Sequence, residues 1–106
     1  MAVSPQFGTF LLDTLGAVRP VTARRMFSGV GYYCEGVFFA IAADEQLYFR
    51  VDDASRGFFE REGMPAFCPK GPGTQSMNYY AVPARLYDDA DELAVWMRRA
   101  LDAARK

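Results

Sequence analysis

The chain has 106 residues, the usual length of one domain, so we expect residues 1–106 to form a single domain around one hydrophobic core. It has 12 basic and 13 acidic residues and a net charge of −1, so no overall field attracts it to nucleic acid or to an anionic membrane. It contains no histidine, which removes the commonest general base and a common metal ligand.

The sequence predicts a cytoplasmic protein without a membrane span, a metal ion or another cofactor. Its longest apolar run, Val37 to Ala43, is much shorter than the roughly 20 residues that a transmembrane helix needs. Cys34 and Cys68 are its only cysteines, and two thiols without a histidine do not make a zinc site. A disulfide would need these two cysteines on neighbouring strands. In a reducing cytoplasm we expect two buried, inert thiols instead.

The first predicted element is a helix over about residues 5 to 15. Ser4 suits the N-cap and Pro5 the first helical position, and Gly16 can end the helix. Apolar residues follow at helical spacing: Phe7, Phe10, Leu11 and Leu15. This spacing gives the helix one face that can be buried.

Three antiparallel strands are predicted between Arg24 and Asp52. Two-residue turns at Glu35-Gly36 and Asp44-Glu45 divide this block into a meander. A short helix is then expected from a cap at Asp52 or Asp53 through Glu62, ending at Gly63. Two further strands are predicted at residues 66–68 and 76–82, joined by a flexible loop at 70–74.

The last predicted helix opens at Asp88-Asp89, where Glu92 completes a capping-box arrangement. Its apolar stripe is Leu93, Trp96, Met97, Ala100, Leu101 and Ala104. The predicted fold is therefore α+β, with two layers, a five-stranded antiparallel sheet and three helices in the order α-β-β-β-α-β-β-α.

The two hairpin turns predict which residues share a face of the sheet. One face then has residues that suit packing under the helices: Tyr33, Phe38, Ala40, Leu47, Phe49 and Val51. The other face has Cys34 and a set that we take as a candidate interface: Val30, Tyr32, Val37, Phe39, Ile41, Tyr48 and Arg50. Since the central strand is apolar on both faces, the second face needs a cover. This cover is one of the chain's own helices, a second subunit or a partner protein. We expect a homodimer or a partner complex.

Charged residues give weak signals for other functions. Arg24 and Arg25 are a candidate nucleic-acid contact, although two arginines without a wider basic stripe predict weak binding at most. The carboxylates lie at predicted turns and helix starts, where they have structural roles. No serine or cysteine has a recognisable base, so we predict no catalytic residue and no enzyme activity.

Three motifs resemble the N-terminal domain of TfoX-type competence regulators. They are RRMFSGVG at residues 24–31, LYFRVD at 47–52 and SMNYY at 76–80, followed by Pro83 and a closing helix from Asp91. The resemblance covers nearly the whole chain. It implies a secretion-chaperone-like α+β fold, a role in regulating competence genes and no catalytic residues.

The chain departs from that family in two details. Family members usually have glycine and serine where this chain has Ser28 and Asn78. Many relatives also continue into a second domain, so functions that need that domain are not carried over. The predicted function is that of a non-enzymatic, cytoplasmic regulatory domain that binds another protein. A nucleic-acid-binding transcriptional regulator is the alternative, and a small-molecule sensor or enzyme is a further one.

Overall fold

A computed structural model describes residues 3–26, 29–69 and 77–105. In this part of the chain, three α-helices contribute to one hydrophobic core on a single face of a five-stranded antiparallel sheet. This confirms the predicted α+β fold with two layers. The predicted loop at residues 70–74 lies outside the described residues, as do Phe27, Ser28 and Ser76 of the family motifs.

The first helix, α1, spans Pro5–Gly16, which confirms its prediction. The Ser4 hydroxyl caps it by accepting a hydrogen bond from the Phe7 N–H over 3.2 Å. Leu11 and Leu15 are fully buried on the side that faces the sheet. The helix is thus fixed both by its cap and by its apolar side.

The five strands follow chain order across the sheet: β1 (Thr22–Met26), β2 (Gly29–Cys34), β3 (Val37–Ala43), β4 (Gln46–Arg50) and β5 (Tyr79–Ala81). The stretch predicted as the first strand forms both β1 and β2, which pair with each other. The strand predicted at 66–68 is reduced to a single bridge between Ala66 and Tyr80. With β1 and β2 counted together and this bridge counted as a strand, the predicted order of elements holds.

Both predicted two-residue turns are present. Glu35 and Gly36 have φ angles of 51° and 78°, and Asp44 and Glu45 have φ angles of 53° and 60°. A two-residue hairpin turn that matches the right-handed twist of its strands requires left-handed backbone at both central positions. Glu45 also accepts hydrogen bonds from the Ser4 backbone N–H (2.5 Å) and hydroxyl (2.8 Å). The β3–β4 turn is therefore tied to the start of α1.

A β-bulge that the sequence analysis did not predict interrupts the pairing of β2 with β3. The register shifts between Tyr33 and Tyr32, so that Tyr32 lies opposite Ala40 rather than opposite Phe39 as predicted. Phe39 is the extra residue on its strand. Because side chains alternate between faces, one extra residue reverses the facing of every residue beyond it.

The second helix, α2, is short and spans Arg56–Glu60. Asp52 and Ser55 cap each other before it: the Ser55 N–H donates to Asp52 Oδ1 over 2.9 Å, and the Asp52 N–H donates to the Ser55 hydroxyl over 3.0 Å. The predicted helix continued to Glu62, but the chain turns after α2 and reaches Gly63 with a φ angle of 71°. The predicted start of α2 is thus close to the observed one, and its predicted end lies two residues too far along the chain.

The third helix, α3, spans Ala90–Ala104 and follows a 3₁₀ turn at Ala84–Asp88. Asp89 Oδ1 accepts a hydrogen bond from the Glu92 N–H over 3.1 Å, which confirms the predicted N-cap. Its buried residues are Leu93, Trp96, Met97, Ala100, Leu101 and Ala103. The predicted stripe therefore packs in the core, with Ala104 partly buried at its margin.

All three helices cover the same face of the sheet, which we call the helix face. Its core includes Leu15 of α1, Phe59 of α2 and Met97 of α3 together with Leu47 and Phe49 of β4. Within the described residues, no helix has both the length and the apolar character that a bilayer crossing requires.

Candidate functional site

The sheet face away from the helices, which we call the open face, is apolar and aromatic. Its members come from β2, β3, β4 and β5, with Phe67 beside them: Tyr33, Phe38, Ile41, Tyr48, Arg50 and Tyr79. None of these residues belongs to the core cluster under the helices. In an antiparallel sheet with one wet face, such positions are ordinarily polar.

The aromatic rings of the open face contact one another across the strands. Tyr33 stacks on Phe38 with ring centroids 5.0 Å apart, and Phe38 lies 5.9 Å from Tyr79. Tyr48 and Phe67 form a second pair at 4.8 Å. These rings are already arranged in the free protein. Their side chains would therefore lose little conformational entropy when a partner covers them.

Two glycines keep this arrangement compact at the β1 side. A side chain at Gly31 would collide with Met26 and with Phe38, and one at Gly29 would collide with the Ala42 backbone oxygen. Glycine at position 31 therefore lets Met26 and Phe38 close over the strand between them. The GVG part of the RRMFSGVG motif has this packing role.

Arg50 is the charged residue at the centre of this aromatic surface. Its guanidinium carbon lies 5.7 Å from the centre of the Tyr79 ring, a cation–π contact. Its Nε is buried and has no hydrogen-bond partner among the described residues. An unsatisfied buried donor costs about 1–3 kcal/mol, and most buried polar groups in folded proteins avoid this cost. Burial raises the pKa of the Tyr79 hydroxyl, and the neighbouring Arg50 opposes that shift.

The structure divides the predicted interface set between the two faces. Val30, Tyr32, Val37 and Phe39 lie in or against the core on the helix face, so their predicted place on the second face is wrong, and the chain's own helices, one of the three alternatives, cover them. The Tyr32 hydroxyl, for example, donates to the Gly8 carbonyl of α1 over 3.2 Å. The bulge causes this error, because the prediction assumed an uninterrupted register through β2 and β3.

The remaining predicted interface residues, Ile41, Tyr48 and Arg50, do lie on the open face. Their role in an interface stays a prediction. Tyr33 and Phe38, which were predicted under the helices, lie on the open face as well, so that prediction is wrong for the same reason. Ala40, Leu47, Phe49 and Val51 are buried on the helix face as predicted.

Sequence reasoning missed Phe67 and Tyr79 as members of the open face. The signal for Tyr79 was present, since the SMNYY motif alternates and Tyr79 pairs with Arg50 across β4 and β5. Phe67 had no such signal, because its position depends on a bridge of one residue pair between Ala66 and Tyr80.

Arg24 and Arg25 lie on β1, and their pairing partners place them on opposite faces of the sheet. Arg24 lies opposite Gly31 on the open face, and Arg25 lies opposite Val30 on the helix face. Both side chains are exposed, and neither forms an ion pair within the described residues. Both nevertheless line one cleft between α1 and β1, and their weak role in nucleic-acid binding stays a prediction.

Both cysteines are free thiols. Cys34 is buried in the core as predicted, whereas Cys68 is only half-buried and lies 3.8 Å from the Ala66 carbonyl oxygen. Among the described residues, no three acidic or cysteine side chains are grouped as a metal site would need.

Comparison with known protein families gives a match over most of the chain. The TfoX N-terminal domain family, a family of competence-related regulatory domains, matches residues 13–104. The match includes every strand of the sheet and all the open-face residues. No curated protein matches the sequence.

Proposed function

The chain belongs to the TfoX N-terminal domain family, and on this premise we propose that it is a non-enzymatic, cytoplasmic regulatory domain that binds another protein through its open face. The observation that supports the proposal is the aromatic surface around Arg50, which no helix of the described residues covers and where Tyr33, Phe38 and Tyr48 are half-buried while Ile41 and Tyr79 are buried. Large apolar patches on the surface of a soluble domain are characteristic of interaction sites. Tyrosine and arginine, which both occur on this surface, are among the residues enriched at such interfaces.

The chemistry of the surface supports a protein partner over other ligands. Arg50 lines none of the four best-defined clefts among the described residues. A protein surface can cover several aromatic rings at once and supply an acceptor oxygen to Arg50.

The expected homodimer is one form of this proposal. A second copy of the chain would cover the open face of its partner with tyrosine hydroxyl groups as acceptors for Arg50. A partner of a different sequence could supply a carboxylate, which makes a stronger hydrogen bond with a guanidinium. For this reason we propose a different protein as the main partner, and light scattering on the purified chain tests the homodimer.

The test compares two variants that place an aspartate on different surfaces. Phe38→Asp changes the open face, whereas Val95→Asp changes an exposed valine of α3, 47% accessible, on the helical side. Tagged wild type and both variants are used to capture partners from nuclease-treated extract, and each captured protein is then purified and titrated. We expect a protein that binds the wild type and Val95→Asp equally and binds Phe38→Asp at least tenfold more weakly.

Two results would contradict this proposal. Partners that bind Phe38→Asp as well as wild type would place the binding site away from the open face. Capture that is lost whenever nuclease is present would instead favour the nucleic-acid alternative. A folded Phe38→Asp variant, verified by circular dichroism, is required for either conclusion.

A further inference from the structure

A second surface, separate from the centre of the open face, lies along β1. This strand is the outer strand of the sheet, and within the described residues nothing pairs with its outer edge. Residues 22–25 are exposed. An edge strand leaves the backbone N–H and C=O groups of alternate residues without partners in the sheet, and these groups can pair with another strand.

A cleft flanks this edge on each face of the sheet. On the helix face, a cleft of about 310 Å³ lies between α1 and β1, with Leu12, Arg24 and Arg25 among its lining residues. On the open face, a smaller cleft of about 190 Å³ is lined in part by Arg24 and Tyr33. Successive side chains of a strand point to opposite faces, so a strand added at β1 would direct alternate side chains toward the two clefts.

The two clefts are similar in chemistry. Leu12 is 36% accessible and gives the helix-face cleft an apolar wall. Arg24 and Arg25 each contribute an exposed guanidinium without an ion pair in the described part of the chain. Among the described residues, no acidic side chain lines either cleft. The edge therefore has apolar surface and unbalanced positive charge on both sides.

From this geometry we propose that the β1 edge binds an extended segment of a partner protein. The segment contains acidic side chains and pairs with β1 as an additional strand of the sheet. Backbone hydrogen bonds hold the segment, and its acidic side chains pair with Arg24 and Arg25. A second copy of β1 is a poorer occupant, because antiparallel pairing about a two-fold axis would bring the arginines of the two copies close together.

The experiment selects random twelve-residue displayed peptides on the whole chain and measures the selected peptides by fluorescence anisotropy. We expect selected sequences with acidic residues between apolar ones. Bound peptide should slow hydrogen exchange of the β1 amides at residues 22–26 by at least tenfold. The double variant Arg24→Glu, Arg25→Glu should weaken binding at least tenfold. The double variant Arg24→Gln, Arg25→Gln should weaken binding by a smaller factor, because it removes the two positive charges without reversing them.

The matched control is the double variant Arg19→Glu, Arg98→Glu, because these two arginines are also exposed and lack ion pairs in the described part of the chain. It changes the net charge by the same amount as Arg24→Glu, Arg25→Glu and should leave peptide binding unchanged. The proposal is overturned by peptides without acidic residues, by protection elsewhere in the chain, by equal loss in the control, or by the selection of no peptide. Peptides that lose binding only in Phe38→Asp would overturn it too, while supporting the open face as a protein-binding site.

Discussion

The rings of Tyr33 and Phe38 stack across β2 and β3 on the open face, with centroids 5.0 Å apart and planes inclined by 25°. The next residue along β3, Phe39, is completely buried on the other face and lies 5.7 Å from Phe49. Two consecutive phenylalanines thus have opposite surroundings. The bulge at this point determines which one belongs to the core and which one to the surface that we propose for binding.

The first prediction uses these two neighbours as each other's control. Phe39→Asp places a carboxylate in the core and should cost on the order of 4 kcal/mol or more, enough to unfold a domain of ordinary stability. Phe38→Asp places it on a half-buried surface and should cost about 2 kcal/mol while the fold remains. Urea unfolding followed by circular dichroism measures both. Equal losses would show that the two residues share one environment, contrary to the structure.

Local signals in the sequence were sufficient for the helices and the turns. Ser4 and Asp89 each cap the helix that they were predicted to cap, because capping depends on the cap residue and the next few residues alone. The turn at Asp44-Glu45 also needs only local backbone geometry. Elements of this kind can be predicted without knowing what packs against them.

The face of each strand residue could not be predicted in the same way. The register near the Glu35-Gly36 turn is as expected, but the strand that carries the extra residue Phe39 has no glycine or proline to mark the bulge. It is set by packing, since the core takes Tyr32 and Phe39 together beneath the helices. One extra residue in a strand changes which face of the sheet the following residues have. The membership of the candidate site depends on that assignment of faces.

The second prediction concerns Tyr32, whose hydroxyl bonds to the Gly8 carbonyl and whose burial raises its pKa to about 12. The folded state favours the neutral hydroxyl, so stability should be full below about pH 10, the unfolded pKa, and should fall as the pH rises toward about 12. Tyr32→Phe should cost about 1 kcal/mol at neutral pH through the lost hydrogen bond and should reduce that alkaline loss. Urea unfolding at about pH 7, 9 and 11 tests both effects. An unchanged alkaline slope in the variant would contradict the assignment to Tyr32.

The third prediction concerns Arg85, which joins two acidic residues of different segments. Its Nη1 donates to Glu92 over 2.7 Å, and its other nitrogen atoms donate to Glu62. The hydrogen bond from Arg85 lowers the pKa of Glu92, so the stabilisation from Glu92 is present above its unfolded pKa and is lost as the pH falls through the lower folded value.

Arg85→Gln should therefore raise the pKa of Glu92 toward its ordinary value. The variant should be less stable than wild type at neutral pH, and the difference should shrink in strong acid. Titration of Glu92 by NMR and urea unfolding at several pH values provide the measurements. Arg98→Gln is the control, because Arg98 has no ion pair in the described residues. A Glu92 pKa that does not move in Arg85→Gln would refute the coupling.

The fourth prediction concerns the thiols. Cys34 is almost completely buried, and its replacement by alanine should cost about 1–2 kcal/mol through lost packing. Cys68 is half-buried, so Cys68→Ser should cost less. If function needs no redox step or metal, the double variant should bind its partner with unchanged affinity. Loss of binding by a variant that remains folded would mean that a thiol takes part in function.

The last prediction concerns nucleic acid, for which Arg24 and Arg25 are the candidate contacts. Because no wider basic stripe accompanies these two arginines, any binding should come from phosphate attraction. For two phosphate contacts on a single strand, the logarithm of the binding constant should fall with the logarithm of salt concentration with a slope of about −1.4. Anisotropy titrations with oligonucleotides of several sequences should give weak binding that Arg24→Ala with Arg25→Ala removes. Nanomolar binding that distinguishes these sequences at physiological salt would refute the protein-partner proposal, because phosphate contacts alone cannot tell one base from another.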